Sequence, residues 1–288
     1  MSYLVLVRHG QSEWNLQNRF TGWVDVGLTA EGNKEAKKAG KLLAKADVKF
    51  DIAFTSYQKR AIKTLWLTLE ALDQMSLTVT KDWHLNERHY GGLTGLNKQE
   101  TRDKHGDEQV HIWRRSFDVP PPQVDMDSEY HPRHDAKYAG IAVDELPTGE
   151  SLKITTERVL PYFESQIMPF VRAGSNIIIS AHGNSLRALM KQIFNVSDKD
   201  IPGFEFPTGN PLLIELETGT LNVKSAKYLD AKRAKDLPFI GTIYNKTALK
   251  KMKEAELVEL AKSRGIEAST DDLKADTVQK ILDAQPSK

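Results

Sequence analysis

A chain of 288 residues, 40% hydrophobic and 27% charged, is long enough for a full hydrophobic core plus an appendage. Its 40 Lys and Arg against 39 Asp and Glu give a formal charge of +1, which excludes a global electrostatic grip on nucleic acid but leaves room for local basic clusters. The absence of cysteine excludes disulfides, thiolate metal sites and cysteine nucleophiles. With neither a leader-like N-terminus nor an apolar run of spanning length, the expectation is a cytoplasmic protein with no membrane partner.

The first element is the run Leu4-Val5-Leu6-Val7, which reads as a strand buried on both faces and ends in Arg8-His9-Gly10-Gln11-Ser12-Glu13. Gly10 permits a sharp departure, and the polar residues after it can open a short helix whose first N–H groups attract anions. Such a strand end can hold and attack a phosphate; taken alone, it equally admits a histidine that ends a strand by chance. Thr29 can cap a helix reaching about residue 46, with Ala36, Ala39, Leu42, Leu43 and Ala46 as its apolar stripe. A second strand is read over 51–55, after which Ser56 is expected to cap a helix carrying Ala61, Leu65, Leu69 and Leu72. Arg60 falls in that helix's first full turn, facing either the same sheet edge as His9 or solvent.

A third strand around 77–80 leads into a glycine-rich polar and aromatic loop, Asn86-Glu87-Arg88-His89-Tyr90-Gly91 to Gly95-Leu96-Asn97-Lys98. A helix to about Lys104, stopped at Gly106, and another over 108–117 follow; the second carries Trp113-Arg114-Arg115. Helix neighbours point about 100° apart, so two adjacent arginines read as a solvated face unless they converge on one multiply charged anion at a helix end. Residues 118–148, with five prolines and little periodicity, form a long irregular segment of the kind that is functional or mobile. Residues 149–170 read as helix with a kink at Pro161, and 176–180 as the most hydrophobic strand. That strand ends in Ala181-His182-Gly183-Asn184-Ser185, a second copy of the opening device. Further strands are read over 212–216 and 223–229. The alternation predicts an α/β fold, a three-layer α/β/α sandwich with a mainly parallel sheet, its site beyond the strand C-termini where His9 and His182 lie.

Arg8-His9-Gly10 joined by His182 resembles the histidine phosphatase superfamily. Together with Asn15, Arg19-Phe20-Thr21-Gly22-Trp23, Ser56 with Arg60, the 86–98 loop and Trp113-Arg114-Arg115, all in family order, it resembles the cofactor-dependent phosphoglycerate mutases over about residues 1–229. The resemblance implies interconversion of 3- and 2-phosphoglycerate through a phosphohistidine at His9, primed by 2,3-bisphosphoglycerate and using no metal. It further implies Arg8, Arg60 and His182 as a cationic cage for the phosphoryl group, Asn15 and the Gly183 backbone as neutral donors, and Glu87 as general acid and base. Tyr90, Lys98, Arg114 and Arg115, helped by Thr21 and Gly22, would hold the substrate's carboxylate and second phosphate, with Ser12 and Asn184 completing the binding set. Each has a plainer reading: Glu87 paired with Arg88 at the surface, Lys98 solvated, Tyr90 in the core. No metal triad is spelled out, because His84 and His89 lack i,i+4 spacing and a third ligand. The resemblance also implies a homo-oligomer, since members of that family are often dimers or tetramers. A phosphatase or bisphosphoglycerate synthase of the same superfamily is the alternative enzyme.

The catalytic domain is placed at 1–240. Residues 246–288 depart from the family pattern and read as a small helical module, with Leu249, Met252, Leu257, Leu260 and Ala261 on one stripe, a break at Gly265-Ile266, and Asp271 or Asp272 capping a helix with Val278, Ile281 and Leu282. This module resembles SAP- or LEM-type units, some of which bind DNA or chromatin proteins, making a protein or nucleic-acid scaffold the reading from a different class. Its nine Lys and Arg against eight Asp and Glu are a poor footprint for independent DNA binding, and a packing, oligomerisation or localisation element is preferred.

Overall fold

Strand β1, Ser2–Arg8, lies near the middle of the sheet because Leu4, Val5, Leu6 and Val7 are apolar on both faces and are all fully buried. The computed structural model describes residues 1–238, 240, 246–263 and 266–285, in two compact units, 1–238 and 239–288. In the first unit β1 is followed by α1 (Glu13–Leu16), α2 (Ala30–Lys45), β2 (Ile52–Thr55), α3 (Lys59–Leu72), β3 (Val79–Lys81), α4 (Lys98–His105) and α5 (Asp107–Arg115). Then come α6 (Leu152–Tyr162), α7 (Met168–Arg172), β4 (Ile177–Ala181), α8 (Gly183–Phe194), β5 (Leu212–Leu216) and β6 (Val223–Tyr228). The sheet order is β3-β2-β4-β1-β5-β6, with only β5 running against the others.

Alternate residues of each central strand serve the two faces. Leu4, Leu6, Ile177 and Ile179 join Val159, Phe163, Leu186 and Leu189 beneath α6 and α8. Val5, Val7, Ala53 and Ile178 pack instead on Ala39 and Leu43 of α2 and Leu65 and Leu69 of α3. This is the expected three-layer sandwich, and its mainly parallel centre brings the C-terminal ends of β1 and β4 level: Arg8 registers with Ala181.

Several boundaries differ from expectation. Ser56 does not cap α3, because its hydroxyl is engaged by His182 Nε2 at 2.8 Å and by the Gln58 N–H at 3.1 Å; the helix starts at Lys59 with Gln58 as its N-cap. Arg60 is therefore the second residue of the helix. Helix α5 stops at Arg115, where Ser116 turns extended and its hydroxyl binds the backbone of Val119. Pro161 stands one residue before the end of α6, and a wide π turn, Phe163–Ile167, carries the chain into α7. The irregular 118–148 segment contains three short 3₁₀ turns and is pinned by buried Tyr138 and Leu146 against Trp23, by Tyr138 Oη accepting from Asn86 Nδ2, and by Gly92 N–H donating to Pro122 O.

The second unit holds α9 (Lys246–Lys251), α10 (Glu254–Ser263) and α11 (Lys274–Asp283) around buried Leu249, Leu257, Ala261, Val278 and Ile281. Neither Asp271 nor Asp272 caps α11. Its N-cap is Leu273, and the Asp272 carboxylate accepts from Ser269 N–H and pairs with Lys280. The expected break at 265–266 falls in part on Gly265, outside the described residues; Ile266 N–H donates to Ala261 O. Among the described residues no helix is long and apolar enough to cross a membrane.

Candidate active site

The β1–β4 register continues one step past the strands, where His9 N–H donates to Ala181 O at 3.0 Å. His9 and His182 thus stand side by side, ring centroids 5.0 Å apart and planes tilted by 55°. Gly10 then turns the chain against α2: a side chain there would lie 2.3 Å from Gly32 O, so only glycine fits. The turn is fixed by Gly10 N–H donating to Thr64 Oγ1.

Both imidazoles are held neutral. Burial, then the charges of Arg60 and Arg8, push His9 well below the usual histidine range, against the opposing effect of its bond to Gly10. Its Nδ1 lies 2.7 Å from Gly10 O, an acceptor only, so Nδ1 carries the proton and Nε2 keeps the lone pair. His182 is lowered likewise, by burial and then by Arg60, His9 and Arg8. The sequence reading that counts His182 among the cations is therefore corrected for the resting site, where it is a neutral hydrogen-bonding group. Ser56 Oγ, which accepts from Gln58 N–H, lies 2.8 Å from His182 Nε2, and a hydroxyl hydrogen donated there would leave Nδ1 as the protonated nitrogen. That nitrogen is buried without a partner among the described residues.

A cavity of about 360 Å³ opens in front of His9. Of the sequence-selected residues it gathers Arg8, His9, Asn15, Thr21, Gly22, Arg60, Glu87, Tyr90, Lys98, Arg114, Arg115, Gly183 and Asn184. His182 stands beside His9 without lining the cavity, and Ser12 is not in the wall at all. Ser12 is fully buried, its hydroxyl accepting from Asn15 N–H as the N-cap of α1. Its contribution is to hold the turn that presents Asn15.

The wall carries eight Lys and Arg side chains against two carboxylates, a composition that fits a ligand with several negative charges. The cations are tied mainly to neutral oxygens. Arg60, 1% exposed, donates to Val24 O, Gly22 O and Gln58 Oε1, and although burial lowers it to about 10 it remains a cation at neutral pH. Arg8 donates through Nη1 to Phe206 O, while its Nε is buried without a partner among the described residues. Lys98 opens α4, its ammonium 5.7 Å from the Phe20 ring, and Arg114 ends α5.

Glu87 is buried inside the surface rather than paired with Arg88 across it. One carboxylate oxygen, Oε1, accepts from Arg88 N–H, Asn184 N–H and Asn184 Nδ2, at 2.9 to 3.0 Å. Burial opposes ionisation, but the Arg88 N–H, the charges of Arg8 and Arg60, and Asn184 outweigh it and hold the carboxyl below its usual range. Glu87 is accordingly ionised at rest, with Oε2 making no hydrogen bond among the described residues.

Sequence reasoning missed Arg19, Arg187, Glu205, Phe206, Pro207, Thr208 and Lys235, all in the wall. Arg187 follows Gly183 by four positions on α8, so the helical period could have found it. Glu205 had no local signal; it bridges Arg115 at 3.3 Å and Lys235 at 3.2 Å, a contact made only by folding. Among the described residues there is no group of three or more His, Asp or Glu spaced to hold a metal ion.

The fold, with two imidazoles at adjacent parallel strand ends facing a cationic cavity, defines a protein of the histidine phosphatase class, and the model of the histidine phosphatase superfamily (branch 1) matches residues 4–130. Solved structures share the fold: a mycobacterial glucosyl-3-phosphoglycerate phosphatase complexed with VO₃ aligns with a TM-score of 0.60 at 20% identity, over 79% of this chain and 97% of that one. The alpha-ribazole phosphatase of Shigella flexneri aligns with a TM-score of 0.56 at 20% identity, over 84% and 100%. Much nearer in sequence are proteins named 2,3-bisphosphoglycerate-dependent phosphoglycerate mutase. That of Maricaulis maris is 60% identical over 238 residues, 83% of this chain and 98% of that one, and that of Lactococcus lactis subsp. cremoris 54% over 234 residues, 81% and 100%. The chain belongs to the 2,3-bisphosphoglycerate-dependent phosphoglycerate mutase family.

The buried neutral imidazoles make stability depend on pH. An unfolded imidazole binds a proton near pH 6.5, about where His9 and His182 in the folded protein still refuse one, so stability is present above that pH and lost as pH falls through it. The melting temperature is expected to be flat above about pH 7 and to fall between roughly pH 6.5 and 5, more shallowly in His182→Gln. An equal slope in the variant would contradict this origin.

Proposed function

We propose that this protein interconverts 3-phosphoglycerate and 2-phosphoglycerate, with Nε2 of His9 as the transient phosphoryl carrier. The observation that carries the reading is the Gly10 carbonyl on His9 Nδ1, which leaves Nε2 as the nucleophilic nitrogen of a histidine in the cavity wall. The names of these relatives supply the substrate class and the primer, 2,3-bisphosphoglycerate. The donor set suits that primer: eight cations on the wall, the free Nε of Arg8 and the free Nδ1 of His182. When bound, 2,3-bisphosphoglycerate supplies the phosphoryl group that charges His9.

His9 Nε2 accepts the phosphoryl group and returns it. Arg8 and Arg60 neutralise the charge spread over its oxygens, and His182 donates from Nδ1; fixed donors in a buried site act without reorganising when the charge develops. Asn15 and the Gly183 N–H add neutral donors. Glu87, ionised at rest, takes the proton from the attacking hydroxyl of the sugar acid and gives it back to the leaving oxygen on return transfer. Tyr90, Lys98, Arg114 and Arg115, with Thr21, Gly22 and Asn184, hold the carboxylate and the second phosphate, which lets a ligand turn within one cavity while its ends exchange places.

The second unit carries its own apolar core. We assign it a packing, oligomerisation or localisation role, with a protein or nucleic acid as its ligand class, and we take the protein to be a cytoplasmic homo-oligomer.

Isomerisation assayed with and without added 2,3-bisphosphoglycerate tests the reading. The full chain and a form lacking residues 246–288 are both expected to need the primer and to turn over within about threefold of one another, and His9→Ala is expected to lose at least about 10³-fold. Primer-independent turnover, or an active His9→Ala, would overturn the mechanism; loss of turnover in a folded truncated form would overturn the role given to the tail.

A further inference from the structure

One buried side chain outside the cavity wall touches three separate parts of the site. Gln58 is fully buried at the N-cap of α3. Its Oε1 accepts from the backbone N–H of Glu87 at 2.9 Å and from Arg60 Nη2 at 3.2 Å. Its Nε2 donates to Gly22 O at 2.8 Å, the same oxygen that Arg60 Nη2 reaches at 2.8 Å. Gln58, Arg60 and Gly22 thereby close a ring of three hydrogen bonds, and the fourth bond ties the ring to the Glu87 peptide.

Each tied group is otherwise carried by a different segment. Arg60 belongs to α3, Gly22 to the loop after α1, and Glu87 to the loop after β3. The Glu87 carbonyl is held from the other side by Trp23 Nε1 at 2.7 Å and by Arg158 Nη2 at 3.4 Å. Gln58 is the side chain that grips the Glu87 amide. Gly22 has φ +54° and lies close to the Tyr90 amide, so a shift of its carbonyl would be felt there too. A carboxylate in place of the amide would pair with Arg60 and quench a cation the phosphoryl group needs; a neutral amide gives Arg60 an acceptor and leaves its charge intact.

We propose that Gln58 is a positioning residue for phosphoryl transfer, holding the Glu87 backbone and the Arg60 guanidinium in fixed register across the cavity. It touches neither His9 nor the cavity, and acts through Glu87 and Arg60. The proposal rests on the roles given to those two residues above.

The test uses Gln58→Met, which keeps length and removes the three bonds made by the Gln58 side chain, and Gln58→Glu, which keeps size and the acceptor for the Glu87 amide but adds charge. For folded Gln58→Met, kcat for isomerisation is expected to fall about 10- to 100-fold while KM for 3-phosphoglycerate stays within about threefold, since a misplaced group costs transition-state rather than ground-state contact. In Gln58→Glu the acidic limb of the kcat profile should move up by about one pH unit. The added anion lies beside the Glu87 amide and pairs with Arg60, and both effects raise the proton affinity of Glu87, while Arg8, Arg187 and Lys98, the other cations facing it from β1, α8 and α4, are unchanged. A folded variant with wild-type kcat and an unmoved limb overturns the proposal, as does a KM that rises in proportion to the loss of kcat. If Gln58→Met does not fold, Gln58→Glu decides; if neither folds, Gln58 is structural and the proposal falls. An active His9→Ala would instead sink the underlying function, separating the two failures.

Discussion

The site depends on one register. Parallel pairing of β1 with β4 sets Arg8 opposite Ala181, and the His9 N–H to Ala181 O bond extends the ladder one residue further. Both histidines are thereby delivered at the same height to the same edge of the sheet. A slip of one residue would turn either ring to the opposite face. The buried Val, Leu and Ile pairs behind the register make that slip costly, so the chemistry at the edge is secured by the apolar core.

The second constraint is charge. Several guanidinium groups share a narrow cavity with few counter-ions, an arrangement that burial disfavours. The protein meets it with main-chain carbonyls: Val24 and Gly22 for Arg60, Phe206 for Arg8, Phe204 for Arg187. These oxygens satisfy N–H donors without cancelling charge. Burial, reinforced by the charges of Arg60 and Arg8, keeps His9 neutral, and therefore nucleophilic, while the Arg88 N–H and the same charges hold Glu87 ionised against its burial, and therefore basic. Among the described residues, the cations of the wall that pair with a carboxylate are Arg115 and Lys235, both bridged by Glu205.

Much of this was legible in the sequence because the informative signals were local. A buried apolar run ending in His-Gly, twice, is readable without a fold, and so is the Thr29 cap of α2. Ser56 misled because a serine before an apolar stripe looks like a cap, whereas its hydroxyl serves His182, 126 positions away. Ser12 misled the other way: inside a recognisable motif it looked like a ligand contact and is a helix cap. Gln58, Arg187 and Glu205 gain their meaning from partners distant in the chain, which no local pattern encodes.

The central claim is that Gly10 selects the nucleophilic nitrogen. Phosphorus NMR of the protein charged with 2,3-bisphosphoglycerate distinguishes the two isomers of phosphohistidine and, with mapping of the labelled peptide, locates the group. The account predicts a single phosphohistidine signal, on Nε2 of His9. A phosphoryl group on Nδ1 of His9, on His182 or on any other residue would contradict it.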